Sequence, residues 1–444
     1  MLVTEQVSDG SPNLRRSIGP TQLALYALGS MVGSGIYGLI GKAAGEAGSA
    51  VWLSFLAALV AALLTSLSYA SLGSRYPRAG GAAYVTDRAF GIPVLSFTIG
   101  LALVASGLTS VATQSRIFAA IVADLAGWEA QSPAIIAAGF LLILSGIVFR
   151  GIRESMWVNV VCTLMEVSGL LLVIASGMSY WGSVDYFEVP PERVDAGLAI
   201  AVLQASVLAF FAFIGFEDAV NVAEECENPE RTIPIGLVAA TLAAAVLYVM
   251  VSITAVSVVP WQELAAAPSP LTAVLQKSAP GLPAELMTLI ALFSVANTAL
   301  VNYVTASRMI YGMSGQGLLP SFIGRVHATR RTPHIAIATL LVLLLVLAVS
   351  GQIADLAAAT VLLLLAIFIA VNASLVVLKR RPGETTGRFE IPILLPIMGI
   401  AVCGVLLVTR LSSSEWKAPA LAGALLVGIL ALYAVLRLTK ASQR

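Results

Sequence analysis

Glu166, Glu217 and Asp218 are carboxylates set in otherwise apolar runs. Glu166 lies at the middle of 158–170, and Glu217 and Asp218 follow a run, from 207, that is apolar up to Gly215. A charge at membrane depth is costly unless it faces protein or water. Each carboxylate therefore needs an occupation: holding a proton, attracting a cation or accepting backbone hydrogen bonds. A second signal comes from glycine. Segment 23–39 is apolar enough to enter a bilayer and has no proline, yet Gly29, Ser30, Gly33, Ser34 and Gly35 sit at its middle. Each glycine weakens a helix by about 1 kcal/mol relative to alanine. A helix broken there bares peptide groups, and irregular backbone at that depth survives only beside protein or a watery cavity. Bare peptide groups and carboxylates together can grip a small charged molecule or an ion.

The elements that must position these groups are membrane helices. The chain has 444 residues, 58% hydrophobic and only 11% charged, with a mean hydropathy of +0.92. A soluble domain carries roughly 25% charged residues. A net charge of +1 leaves no electrostatic footprint for nucleic acid. Cys162, Cys226 and Cys403 lie in or beside apolar spans, which argues against a disulfide framework. No phosphate-binding Gly-x-x-x-x-Gly-Lys motif and no clustered Cys/His set is present, so neither ATP, a metal nor another cofactor is implied. The start, 1–19, is polar and lacks the apolar stretch of a signal peptide.

A span needs about 20 mostly apolar residues. The pattern predicts twelve: 22–41, 49–72, 93–122, 132–150, 155–180 and 198–223, then 235–259, 283–308, 334–350, 353–378, 391–410 and 418–438. Of the 25 Lys and Arg residues, nineteen then fall in inner segments and five (Lys42, Arg193, Lys277, Arg410, Lys417) in outer ones. Positive loops stay in the cytoplasm, so a multi-pass protein of the cytoplasmic membrane is expected, with both termini inside. The tails are 1–21 and 439–444. Arg116 falls within the third span. The longest outer loop, 180–196, is acidic.

The abrupt change at Gly215 marks the sixth span as interrupted, like the first. Spans one and six head two five-span sets, 22–180 and 198–378. Five is odd, so the second set runs inverted through the membrane. Paired broken helices in inverted repeats mark a binding site. The expected fold is an all-α membrane protein: a 5+5 inverted repeat with discontinuous helices 1 and 6, plus two C-terminal helices within 391–438. Four motifs carry a resemblance: Gly33-Ser34-Gly35-Ile36-Tyr37, Tyr76-Pro77-Arg78-Ala79-Gly80-Gly81, the run from Phe210 through Glu217 and Ala223-Glu224-Glu225 to Pro234, and Ala306-Ser307-Arg308 followed by Gly317-Leu318-Leu319-Pro320. In these the chain resembles the amino acid–polyamine–organocation transporter superfamily, nearest its bacterial amino acid permeases and cationic amino acid transporters.

That resemblance implies a secondary active transporter of amino acids working by alternating access and driven by protons. The alternative is a polyamine or amine carrier, or an amino acid exchanger. An enzyme is not expected. The substrate α-carboxylate is expected at Gly33, Ser34 and Gly35, where a helix N-terminus favours an anion; close helix packing is the competing reading of those small residues. Carbonyl groups freed between Phe210 and Ile214 would take the ammonium. Met31, Ala212 and Ile214 would line a small apolar side-chain pocket. Phe211 is either an outer gate or plain core. Glu217 is a coupling candidate or a structural cap for the broken ends, while Asp218 has no assigned role. Arg75, Arg78, Glu224, Glu225 and Arg231 are inner-gate candidates, with Arg308 as a further partner.

Glu166 departs from the family pattern, which in several members has a lysine at this place, where sodium-driven relatives bind a cation. A carboxylate there could carry a proton, recruit Na⁺, offset a cationic substrate, or form a fixed pair with Arg116. His327 and His334, the only histidines, lie in or beside an inner loop, so carboxylates must carry any coupled protons.

Overall fold

The computed structural model describes residues 14–128, 133–191, 197–267, 269–283, 285–349, 354–411 and 417–442. Residues 1–13 of the expected N-terminal tail, Arg193 of the acidic loop and Arg444 lie outside them. The helices are α1 (Pro20–Met31), α2 (Ser34–Ala47), α3 (Val51–Arg75), α4 (Gly81–Phe90), α5 (Pro93–Ala126), α6 (Pro133–Arg150), α7 (Ile152–Gly177), α8 (Leu198–Phe213) and α9 (Asp218–Asn221). There follow α10 (Pro229–Val258), α11 (Trp261–Ala266), α12 (Pro270–Ser278), α13 (Glu285–Gly315), α14 (His334–Val349), α15 (Ala354–Arg380), α16 (Leu394–Leu411) and α17 (Lys417–Ser442). Among the described residues there is no strand, only one isolated bridge between Ile18 and Cys226.

By length and composition, eight helical stretches among the described residues can cross a membrane, and three shorter apolar helices accompany them. Their outward residues are apolar too. Ile135, Ile143, Val342, Val346, Val427 and Leu438 are each more than 60% exposed, which suits a lipid surrounding. The interior is one continuous apolar cluster with polar contacts between helices, such as the Ser66–Thr241 hydroxyl pair joining α3 to α10 at 3.0 Å.

Three short helices occupy segments expected to be loops. α4 is too polar to show in a hydropathy reading, and it is bounded by Gly80 and Gly91, both in the left-handed region (φ 82° and 63°). α11 and α12, of six and nine residues, are too short to register; α11 packs on α2.

The loop between α15 and α16 ties back to α3 and α4. Glu390 accepts both arms of Arg75, at 2.6 and 2.7 Å, and also pairs with Lys379. Glu384 accepts the Tyr76 hydroxyl at 2.7 Å and pairs with Arg88. Partial burial works to raise the Glu390 pKa, but hydrogen bonds from Arg75, Lys379 and the Gly387 N–H outweigh it and hold the group at about 2. A lowered carboxylate pKa stabilises the fold above the unfolded value, and that contribution disappears as pH falls through the folded one. Glu390→Gln should therefore lower the melting temperature at pH 7, with the difference shrinking as pH falls from about 4.3 towards 2. A difference independent of pH would contradict this ion-pair account.

Candidate functional site

Two helix interruptions meet at the centre of the bundle. α1 starts after Gly19, whose N–H donates to Gln22 Oε1 at 3.1 Å, with Pro20 in the first turn, a helix-compatible place for proline. It stops at Met31, and the chain restarts as α2 at Ser34. α8 stays helical to Phe213, so the second break is 214–217, at the C-terminal edge of the expected stretch. Ile214 is extended (ψ 135°) and Gly215 has φ +130°. Only glycine fits there. A Cβ on Gly215 would lie 2.6 Å from Ser30 Oγ and 2.8 Å from the Ser30 carbonyl carbon. The two broken chains therefore touch backbone to backbone.

Polar groups hold this junction. The Tyr248 hydroxyl of α10 shares its proton between the carbonyls of Met31 (2.7 Å) and Ala212 (2.9 Å), one from each interrupted segment. Glu217 Oε2 accepts the Gly215 N–H at 2.9 Å. Ser30 donates to Asp218 Oδ2 at 2.5 Å, and the Tyr26 hydroxyl lies 3.1 Å from Thr305 Oγ1 on α13.

Beside the junction lies a cavity of about 160 Å³. One wall comes from the interruptions: Met31, Gly33, Gly35, Phe211, Ile214 and Glu217, with Asp218. The rest of the lining is the α5 face around Ser106, Thr109, Ser110 and Thr113, with Asn302 of α13 and, directly against Gly33 of the first break, Thr298. No Lys, Arg or His among the described residues lines it. α2 points its N-terminus, and α8 its C-terminus, at this space. The first carries partial positive charge, the second partial negative.

Most of the expected substrate-site residues thus come together, but two are displaced. Phe210 is buried against Phe368, with ring centroids 6.2 Å apart. Ala212 is buried under Gly35, and its carbonyl is occupied by Tyr248. Ser34 opens α2 at the junction. The expected small apolar pocket is instead walled on one side by hydroxyl and amide groups. The signal was present in the sequence: positions 106, 109, 110 and 113 repeat at three and four residues in an apolar helix. Asp218 is likewise part of the cavity, although the sequence suggested no role for it.

Glu166 belongs to a separate cluster. Asn159, Thr163 and Glu166 share one face of α7, which packs on α1, α10 and α13. Asn159 donates to Asn297 Oδ1 at 2.8 Å, and Asn297 donates to Thr163 Oγ1 at 3.1 Å. Gly29 of α1 lies directly against these side chains, leaving no space for a Cβ. Glu166 is fully buried. Its backbone carbonyl accepts the Tyr37 hydroxyl at 2.9 Å, but neither carboxyl oxygen has a hydrogen bond among the described residues. The Asn297 amide lies towards it without meeting hydrogen-bond geometry. The pair with Arg116 is not formed, because Arg116 is exposed on α5 while Glu166 faces α1 and α13.

The sequence profile of the amino acid permease family matches residues 18–429. The chain belongs to this family. It is 26% identical over 413 residues to the branched-chain amino acid permease BcaP of Bacillus subtilis (strain 168), covering 89% of this chain and 88% of that one. It is 28% identical over 426 residues to the methylthioribose transporter of the same organism, covering 90% of each. Cationic amino acid transporter 4 of Mus musculus is 30% identical over 355 residues, covering 76% of this chain and 55% of that one. The permease thus spans nearly the whole of its bacterial relatives and a little over half of the mouse protein. It is a multi-pass membrane transporter and not an enzyme.

A second set of contacts in the permease seals Arg308 and Glu225 off from solvent. Arg308 of α13 makes a two-pronged bond to Glu225 at 3.0 and 3.1 Å, both side chains fully buried. The N–H groups of Ser17 and Ile18 donate to the Glu225 carbonyl at 2.8 and 3.0 Å, and Glu224 Oε1 accepts the Ala79 N–H at 3.0 Å. Of the expected gate residues, Glu224 and Glu225 are in this seal. Arg75 pairs instead with Glu390, and Arg78 and Arg231 are exposed. Removing one partner of a buried pair strands a charge and costs about 3–5 kcal/mol. Arg308→Met should therefore lower the melting temperature of the purified permease sharply. Adding Glu225→Gln to it should recover much of the loss. Equal melting temperatures for the single and double variants would contradict this.

Proposed function

We propose that the permease moves amino acids across the cytoplasmic membrane by alternating access, as a secondary active transporter coupled to protons. The observation that carries the reading is the shared cavity between two helix breaks, with a helix N-terminus and a helix C-terminus aimed into it. A zwitterion has the matching charges: a carboxylate for the bared N–H groups of 33–35 and an ammonium for the carbonyl end of α8. Gly33, Ser34 and Gly35 act on the carboxylate. Met31, Phe211 and Ile214 form the wall beside it, while Phe210 and Ala212 act from behind as packing.

In this reading the chain crosses the membrane twelve times. The first broken span is α1 with α2, and the sixth is α8 with α9. The two inverted repeats are 22–180 and 198–378, followed by 391–438, and both termini are cytoplasmic. The Glu225–Arg308 seal then lies at the cytoplasmic mouth and must part for release inward. Glu217, tied to the bend at Gly215, and Glu166, buried beside α1 without a partner cation, are the coupling carboxylates. Glu166 carries the proton, because a buried carboxyl with amides and a hydroxyl around it but no counter-charge is at ease only when neutral.

Uptake of labelled amino acids into proteoliposomes, with and without an imposed pH gradient, tests this. The wild type should accumulate substrate when the outside is acidic. Glu166→Gln should lose that accumulation while retaining exchange counterflow. An unchanged pH-gradient response in the variant would remove Glu166 from coupling, and Na⁺-dependent uptake indifferent to pH would replace the proton with sodium.

A further inference from the structure

The α5 side of the central cavity is more polar than an aliphatic substrate requires. Hydroxyls in membrane helices usually satisfy themselves on a carbonyl three or four residues back, as Thr98 and Thr109 of α5 do at 2.8 and 2.9 Å. Among the described residues, two hydroxyls of the cavity lining have no partner of any kind. Thr113 Oγ1 of α5 and Thr298 Oγ1 of α13 are buried and without a hydrogen-bond partner, and Thr298 is only 8% exposed. A buried hydroxyl left without a partner is unfavourable, so each is poised to take one from a ligand. Asn302 lies on the same side.

Charge narrows the choice further. Among the described residues, the ionisable side chains lining the cavity are Glu217 and Asp218. Each accepts one bond from the protein, from the Gly215 N–H and the Ser30 hydroxyl. An incoming anionic side chain would meet like charge and no counter-charge. A hydrogen-bond donor would meet acceptors on both walls. Given that the breaks occupy the substrate's two α-groups, its side chain is left to the α5 side.

We propose that this permease selects amino acids whose side chain ends in a hydrogen-bond donor (hydroxyl, amide or ammonium) and rejects aliphatic and acidic side chains, with Thr113 as the specificity-determining residue, while Thr298, against Gly33, faces the α-carboxylate end. The proposal rests on the central cavity being the amino acid site. It separates this chain from a relative named for branched-chain amino acids. A site built around buried hydrogen-bonding groups discriminates strongly against an analogue that leaves them unpaired, whereas an apolar pocket hardly rejects an added hydroxyl.

Near-isosteric pairs read this directly. Counterflow by the reconstituted full chain is measured for labelled threonine against valine, glutamine against glutamate, and lysine against leucine. The donor-bearing member should be taken up at least about ten-fold more efficiently in the pairs that are transported. Thr113→Val should shrink the threonine-to-valine ratio at least several-fold. Thr98→Val, whose hydroxyl is bonded within its own helix, should leave that ratio unchanged. The ratio does not depend on how much protein folds. Valine and leucine outpacing their partners, glutamate outpacing glutamine, or a ratio indifferent to Thr113→Val would overturn the proposal and leave amino acid transport standing. Failure of every amino acid in the panel would overturn both.

Discussion

A peptide group in a bilayer has no water to fall back on, and the centre of this molecule is arranged around that constraint. Two helices stop partway, and the groups they leave must be satisfied by protein or by ligand. Part of the demand is met internally. One phenolic proton, from Tyr248, is shared by carbonyls from both broken segments, and Glu217 accepts the N–H at the bend. The remainder faces the cavity. The glycine at 215 is what makes the arrangement possible, since any side chain there would drive the two breaks apart.

From that junction the structure divides into regions with different electrostatics. Among the described residues, the cavity holds carboxylates and hydroxyls without a basic residue. The Glu225–Arg308 seal is a compensated pair, shielded from water and reinforced by the backbone of 17–18. Glu166 is isolated behind α1, among amides and a hydroxyl. Ser30–Asp218 links the cavity to α1, while Tyr26–Thr305 links α1 to α13, the helix that also carries Arg308.

The all-helical, membrane-crossing character was legible from hydropathy, because long apolar runs have few alternatives in a membrane; of the twelve expected spans, eight helical stretches among the described residues are long and apolar enough to cross. Both interruptions were legible too, from glycines 29–35 and from the jump to acid after Gly215. What was missed has physical reasons. α4, α11 and α12 are too short or too polar to stand out in hydropathy. Phe210 and Ala212 sit on the buried side of α8 because a helix turns 100° per residue, so consecutive positions cannot all face one cavity. Arg75 found Glu390, about 315 residues away in sequence, and no local pattern announces such a partner. The polar stripe on α5 was visible, but hydroxyls in membrane helices so often bond their own backbone that spacing alone could not assign it to a cavity.

The central claim is that both charged ends of an amino acid are held, one at each break. Competition against uptake of a transported amino acid tests it most directly, using the same molecule with its carboxylate removed and, separately, with its amino group removed. Each analogue should compete at least about a hundred-fold more weakly than the parent, since each strands one set of buried peptide groups. A decarboxylated amine that competes as well as the parent amino acid would contradict it.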